Sequence, residues 1–114
     1  MNEGELKQLV ADIKSAEMIL LDKATTLNKL KNSLDITKTS MMNEIASEVD
    51  GNGKVKYSNQ IKRDAIFLKA TIDSKEYSSA ETDITKEDYE ISVLRIELQD
   101  LKYQFRIQEI LSRI

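Results

Sequence analysis

One stretch of the sequence decides the fold: Glu48-Val49-Asp50-Gly51-Asn52-Gly53-Lys54-Val55-Lys56-Tyr57-Ser58-Asn59. It holds two of the three glycines of a chain that contains no proline, and it separates two long segments with regularly repeated apolar residues. Asn52-Gly53 favours a tight type I′ turn, because both residues tolerate positive φ. We therefore interpret residues 48–59, called the corner below, as the bend of a helical hairpin. Residues 49–57 are expected to form a turn or a small β-hairpin.

The segment before the corner carries a heptad seam. Its members are three or four residues apart and nine of the eleven are apolar: Leu6, Leu9, Ile13, Ala16, Leu20, Lys23, Leu27, Leu30, Leu34, Thr37 and Met41. A seam of about five repeats indicates a coiled coil, and we predict a helix over 3–48. Two interpretations of Lys23 stay open. Its stem lies along the seam while its ammonium reaches water, or it pairs with an acid on the partner and sets the register.

The segment after the corner contains two apolar stripes that differ in phase. The first is Ile61, Ala65, Leu68 and Ile72, and the second is Tyr77, Ala80, Ile84, Glu87, Ile91, Leu94, Leu98, Leu101 and Phe105. Ser58 or Asn59 is a suitable N-cap for the first. Stepping back from the second stripe by heptads reaches Asp73 instead of Ile72. We therefore predict helices over 58–72 and 75–112, with a kink or short break between them rather than a stutter.

The predicted fold class is all-α. One helical domain, residues 1–114, is expected to form a long antiparallel helical hairpin or coiled coil with an interrupted second arm. Such a hairpin buries one face only, so we expect self-association into a homodimer or a higher oligomeric bundle. The apolar C-terminus, Ile107, Ile110, Leu111 and Ile114, is expected to bury against Leu6 and Leu9 of the same or another chain, because exposed apolar patches mark interaction sites.

Composition argues against an enzyme. Cysteine and histidine are both absent, which removes thiol nucleophiles, imidazole bases and nearly all zinc sites. No phosphate-binding or nucleophile motif occurs, and the calcium-loop likeness that begins at Asp50 fails because Val55 and Ile61 occupy essential positions. We predict no catalytic, cofactor-binding or metal-binding residue. An acidic N-terminus and the lack of a long apolar run predict a cytoplasmic protein with no membrane partner.

Charge singles out the corner and the residues after it. Residues 51–72 carry five bases and one acid, net +4, whereas residues 73–100 carry three bases and nine acids, net −6. The five bases interleave with two aromatic residues, and we call this set the basic island: Lys54, Lys56, Tyr57, Lys62, Arg63, Phe67 and Lys69. Bases and stacking aromatics are how single-stranded nucleic acids are held. The simpler interpretation is that Tyr57 and Phe67 pack the corner and the bases solvate it. The acidic stretch is interpreted as a solvated face.

The run Asn52-Gly53-Lys54-Val55-Lys56-Tyr57-Ser58-Asn59-Gln60-Ile61-Lys62-Arg63 resembles a segment of short, charged, helical proteins of bacterial viruses. In those proteins an N-G-K-x-K-Y-S-N-x-x-K-R string likewise separates a leading helix from a trailing one. Their trailing helix is similar in style to residues 91–107 here, which close with Tyr103, Phe105 and Arg106. The resemblance implies a phage setting, with nucleic-acid metabolism or inhibition of a host factor as themes, and it implies no activity and no site residue.

The expected function is a non-enzymatic protein–protein interaction, as a phage adaptor or an inhibitor of a host system, with the basic island as candidate contact surface. An accessory factor that binds nucleic acid through the basic island is the alternative. A purely structural coiled-coil spacer is a third reading.

Overall fold

The protein is all-α. A computed structural model describes residues Met1–Ile114, of which 84% are helical and none belongs to a β-strand. The helices are α1, Glu3–Ser47, α2, Gln60–Asp73, and α3, Lys75–Leu111. The predicted fold class is thus confirmed, and every helix begins and ends within two residues of the expected position.

A single non-helical residue, Ser74, separates α2 from α3. Its backbone N–H still donates to the carbonyl of Ala70, while its own φ and ψ of −87° and 113° are extended. The Ser74 hydroxyl accepts a hydrogen bond from the Tyr77 N–H at 3.2 Å, so the same residue ends α2 and caps α3. The other end of α2 is capped by Asn59, whose side chain accepts from the Lys62 N–H at 2.8 Å.

The chain divides into two compact units, and α1 and α3 contribute a segment to each. Unit 1 comprises residues 1–27 and 86–114, and unit 2 comprises residues 28–85. No helix in the structure combines the length and apolar character needed to cross a membrane.

Unit 1 is built from the two heptad seams. Leu9, Leu27, Ile91 and Leu98 are buried, and the other seam residues from Ile13 onward are half-buried. We call the α3 part of this arrangement, Glu87, Ile91, Leu94, Leu98, Leu101 and Phe105, the inner seam. Because apolar side chains at these positions cover one another, burial supplies most of the stability of the unit.

The charged members of the two seams meet. The Lys23 ammonium lies 2.7 Å from a Glu90 carboxylate oxygen and 3.7 Å from Glu87. A second ion pair joins Glu17 to Lys102 at 3.6 Å. Rising residue numbers in α1 pair with falling numbers in α3, so these segments run antiparallel. Of the two interpretations of Lys23, the structure favours pairing, with the acids supplied by the same chain.

The hydrogen bond between Lys23 and Glu90 shifts the pKa values of both residues. The hydrogen bond from Lys23 holds the pKa of Glu90 below its usual 4.5, and the hydrogen bond to Glu90 raises the pKa of Lys23 above 10.5. The second oxygen of Glu87 is buried and accepts no hydrogen bond from the protein. Since a buried unpaired oxygen is costly, this carboxylate depends on Lys23 to remain in the seam.

Unit 2 packs α2 and the start of α3 against the last part of α1. Ile45 and Tyr77 are its buried residues, and burial raises the pKa of the Tyr77 phenol. The Phe67 ring meets Tyr77 edge to face, with centroids 6.2 Å apart, and the Lys38 ammonium lies 5.8 Å from the Phe67 centroid. Helix α2 itself contributes no buried residue, so it is the most weakly covered helix of the protein.

The apolar C-terminus divides between two sides of α3. Phe105 is half-buried, and Leu6 and Leu111 line the same shallow cleft. Ile107, Ile110, Leu111 and Ile114 nevertheless all remain exposed. The expected burial of this group against Leu6 and Leu9 is therefore wrong within a single chain. Ile107 and Ile110 lie on the side of α3 opposite the inner seam.

Candidate interaction surface at the corner and helix α2

The corner is held by one antiparallel β-bridge, between Val49 and Val55. Two backbone hydrogen bonds of 2.8 Å flank it, from the Asp50 N–H to the Lys54 carbonyl and from the Lys56 N–H to the Glu48 carbonyl. The sequence analysis expected either a turn or a small β-hairpin here, and a single bridge is the smallest form of such a hairpin. Because two short strands are marginal in water, additional contacts must hold the corner.

Asp50 supplies those contacts. One carboxylate oxygen accepts from the Asn52 N–H at 2.8 Å and from the Lys54 N–H at 3.1 Å. The Gly53 N–H donates to the Asp50 carbonyl at 3.0 Å, which closes a four-residue turn. An aspartate at the first turn position that hydrogen-bonds backbone amides two residues on stabilises the turn locally.

The turn is not of type I′, which makes the sequence interpretation of Asn52-Gly53 wrong. Gly53, with a φ of 74°, is the only residue with positive φ. Type I′ needs positive φ at both central residues, here Gly51 and Asn52, whereas a type I turn followed by a left-handed glycine needs it only at the residue after them. The Asp50 side chain favours the second arrangement because it bonds the amides that this geometry turns inward.

The structure separates the basic island into exposed lysines and inward-facing residues. Lys54, Lys56, Lys62 and Lys69 are exposed. Lys62 and Lys69 are seven residues apart on α2 and so lie on one side of the helix. Lys56 contacts Glu48 at 3.4 Å, and its ammonium lies 5.4 Å from the centroid of the Tyr57 ring. The hydrogen bond to Glu48 raises the pKa of Lys56, which keeps this lysine charged over a wide pH range.

Arg63 and Phe67 turn toward the interior of unit 2. The Arg63 guanidinium donates to the Ser58 carbonyl at 3.2 Å, and its Nε is buried without a partner in the protein. Phe67 is half-buried between Tyr77 and Lys38. Neither is presented to a nucleic acid strand for stacking. Tyr57, also half-buried, lies beside Lys56 of the basic island, whereas the base beside Phe67 is Lys38 of α1.

The first apolar stripe of the second segment lies in solvent. Ile61 is 82%, Leu68 62% and Ile72 73% exposed, and Ala65 is exposed as well. Positions i, i+4, i+7 and i+11 share one side of a helix, so these four side chains form a continuous strip, called the α2 stripe below. Phe67 and Ala70 lie on the opposite side and are half-buried, and Phe67 packs against Tyr77 in the rest of unit 2.

Sequence reasoning identified the α2 stripe as an apolar side of its helix, but it did not predict that this side lies in solvent. The signal was present, since α2 carries apolar residues on two opposite sides and only one can face α1. With Lys62 and Lys69 along one border, the strip and its bases form a surface of mixed apolar and positive character. Ordinary monomers expose few contiguous apolar patches, and such patches mark interaction sites.

No acidic cluster of the structure is arranged to hold a metal ion. Within the acidic stretch, residues 73–100, Glu87 and Glu90 contact Lys23, while Asp83 and Asp88 are exposed.

Comparison with known proteins yields no relative: no family model, curated protein or solved structure matches this chain.

Proposed function

We propose that this chain is a non-enzymatic protein-binding protein whose partner contacts the α2 stripe. The observation that carries the proposal is the exposure of Ile61, Leu68 and Ile72 on one side of a helix whose other side packs against the rest of unit 2. Burying three such side chains would contribute about 1.5–3 kcal/mol each before the costs of association.

The border of the stripe indicates the chemistry of the partner. Lys62 and Lys69 are both exposed on one side of it, and neither forms an ion pair within the chain. A partner surface with an apolar strip and acidic residues along one edge would match this pattern, with the apolar contact supplying affinity and the charges supplying orientation. In the phage setting that the corner segment suggests, this corresponds to an adaptor or an inhibitor of a host system.

Binding of nucleic acid is the second candidate, and the four exposed lysines of the basic island support it. The inward orientation of Phe67 and Arg63 counts against it, because stacking on exposed aromatic rings is a main contribution to holding single strands.

Three variants separate the two functions. The chain captures its partner from the native host, the captured protein is identified and purified, and its affinity is measured for each variant. The stripe variant combines Leu68→Asp with Ile72→Asp and removes apolar side chains from the α2 stripe. The border variant combines Lys62→Glu with Lys69→Glu and reverses the charge along the border of the stripe. Ile36→Asp is the matched control, because Ile36 is 72% exposed on α1.

We expect the stripe variant to lose binding by more than roughly a hundredfold, about 2.8 kcal/mol. The border variant should weaken binding in a salt-dependent way, and the control should bind as wild type. Retention of affinity by the stripe variant contradicts the proposal. Salt-sensitive binding to single-stranded DNA that the border variant abolishes, and the stripe variant retains, assigns the surface to nucleic acid instead.

A further inference from the structure

A second heptad seam runs along α3 within unit 1. Six of its seven members are apolar: Tyr89, Val93, Ile96, Asp100, Tyr103, Ile107 and Ile110. We call it the outer seam. Its members alternate by four and three residues over three heptads, the spacing that keeps a/d positions on one strip of a helix. The outer seam is a different element from the α2 stripe, and the inference from it is independent of the proposed function.

The outer seam faces away from α1. Tyr89 and Ile91 lie about half a turn apart at 3.6 residues per turn, and Ile91 belongs to the inner seam and is 2% exposed. Tyr89 is 70%, Ile96 69% and Tyr103 60% exposed. One helix thus carries two opposite apolar strips, of which α1 covers only one.

We propose that the outer seam binds a second copy of this chain, with the two α3 helices antiparallel. In antiparallel coiled coils an a residue faces a d residue of the partner helix. The outer seam meets this requirement with itself about a two-fold axis between Leu101 and Lys102. Ile96 then faces Ile107 of the second copy, and Val93 faces Ile110. All layers are apolar except the two that pair Asp100 with Tyr103, and tyrosine is a residue favoured at protein interfaces.

Charge decides between the antiparallel and the parallel arrangement. Residues 89–101 carry three acids and one base, net −2, whereas residues 102–114 carry three bases and one acid, net +2. The antiparallel arrangement places each acidic half beside the basic half of the other copy. A parallel arrangement in register would place like charges together along the whole helix, and like-charge juxtaposition is unfavourable.

The one polar member of the seam supports the same orientation. In a parallel dimer, Asp100 would face Asp100 of the second copy in the interface. In the antiparallel register it faces Tyr103, whose hydroxyl is a donor for a carboxylate. Two such Asp100–Tyr103 contacts flank the two-fold axis. A single polar position in a seam is a known means of setting register and orientation.

The first experiment measures the molecular mass of the full chain by sedimentation equilibrium over a wide concentration range. Wild type is expected to change from monomer to dimer as concentration rises. Ile96→Asp places a charge opposite Ile107 twice per dimer and should raise the dimer dissociation constant by more than roughly tenfold. Ile36→Asp makes the same change at an exposed isoleucine outside the seam and should leave the constant as in wild type.

The second experiment tests the register without disturbing the apolar layers. The chain contains no cysteine, so Ile96→Cys and Ile107→Cys each introduce a single thiol. The two variants are mixed, one of them isotopically labelled, and oxidised under mild conditions. The antiparallel register predicts a disulfide between one chain carrying Ile96→Cys and one carrying Ile107→Cys. The same register separates identical positions of the two copies by about 16 Å along the helix, eleven residues at 1.5 Å each. That separation exceeds the reach of a disulfide.

Three results overturn the proposal: a monomer at every concentration, an unchanged dimer constant for Ile96→Asp, or disulfides that join only identical variants. Far-ultraviolet circular dichroism checks that Ile96→Asp stays helical. If that variant loses helix, the disulfide pattern of the two cysteine variants still tests the antiparallel register. Loss of partner binding through the α2 stripe has no bearing on these readouts, so the two proposals fail separately.

Discussion

The inner seam of α3 and the α2 stripe have the same kind of residues at the same kind of spacing and opposite exposures. Ile91 and Leu98 are buried, whereas Ile61 and Ile72 lie in solvent. Heptad spacing therefore identifies a side of a helix that is apolar, and it does not establish that another element covers that side. The inner seam is covered because α1 presents a matching seam, with Lys23 opposite the acids of α3.

Helix α2 is oriented by the residues on its other side. Phe67, Ala70, Ser74 and Tyr77 are spaced three, four and three residues apart, so they continue one side across the break at Ser74. Phe67 packs on Tyr77, and a small residue such as Ala70 permits close approach. An aromatic contact in register with the buried Tyr77 directs α2 inward on this side, which leaves the α2 stripe outside.

The largest expected effect is the difference in stability between truncating a side chain of the inner seam and truncating one of the α2 stripe. Ile91→Ala should lower the free energy of unfolding by about 3 kcal/mol, because it removes a fully covered side chain and leaves a cavity. Ile72→Ala should change it by less than about 0.5 kcal/mol, since the side chain is already in water. Urea denaturation at one fixed protein concentration measures both. Equal losses would show that α2 buries its stripe in solution.

The next effect lies within α2, where adjacent residues face opposite sides. Phe67→Ala should cost about 2 kcal/mol, below the range for fully buried phenylalanines because Phe67 is half-buried. Leu68→Ala should cost less than about 0.5 kcal/mol. The same urea titrations give both values, and the near-ultraviolet dichroism of Tyr77 should change only in the first variant. A greater loss for Leu68→Ala would mean that α2 is rotated relative to the structure described above.

The smallest effect concerns pH and the one charged layer of unit 1. The pKa of Glu90 is lowered in the folded protein, so the Lys23 contact stabilises the fold at pH values above the usual 4.5. That contribution is lost as the pH falls through the lower folded value. The raised pKa of Lys23 gives the opposite pH dependence. Its contribution to stability is fully present below 10.5 and is lost as the pH rises through the pKa of Lys23 in the folded protein.

Lys23→Met isolates this contribution. The difference in unfolding free energy between wild type and Lys23→Met should be greatest near pH 7 and should shrink on acidification below 4.5, as the Glu90 carboxylate opposite Lys23 becomes protonated. Lys7→Met is the control, because its pair with Glu3 is exposed and within one helix turn. A difference that stays constant with pH would show that Lys23 acts through its aliphatic stem alone.

Much of the fold was predictable from the sequence because helix signals are local. The seams, the caps at Asn59 and Ser74 and the corner all depend on residues within a few positions of one another. The class and the helix bounds follow from them. The turn type was not predictable from Asn52-Gly53, because the Asp50 carboxylate determines which residues take the central positions, and several turns share that dipeptide.

The candidate surface was predictable only in part. Sequence located the positive charge at Lys54, Lys56, Lys62 and Lys69, since charge density is a property of composition. It offered a packing role for Phe67 as the simpler interpretation, but it did not reveal that Arg63 faces inward or that the α2 stripe faces outward. It also did not single out the outer seam of α3, although the spacing of that seam is regular. Periodicity states which residues share a side. Which side is covered depends on contacts between residues far apart in the chain, such as Lys23 with Glu90 and Lys38 with Phe67, and only the tertiary structure brings those together.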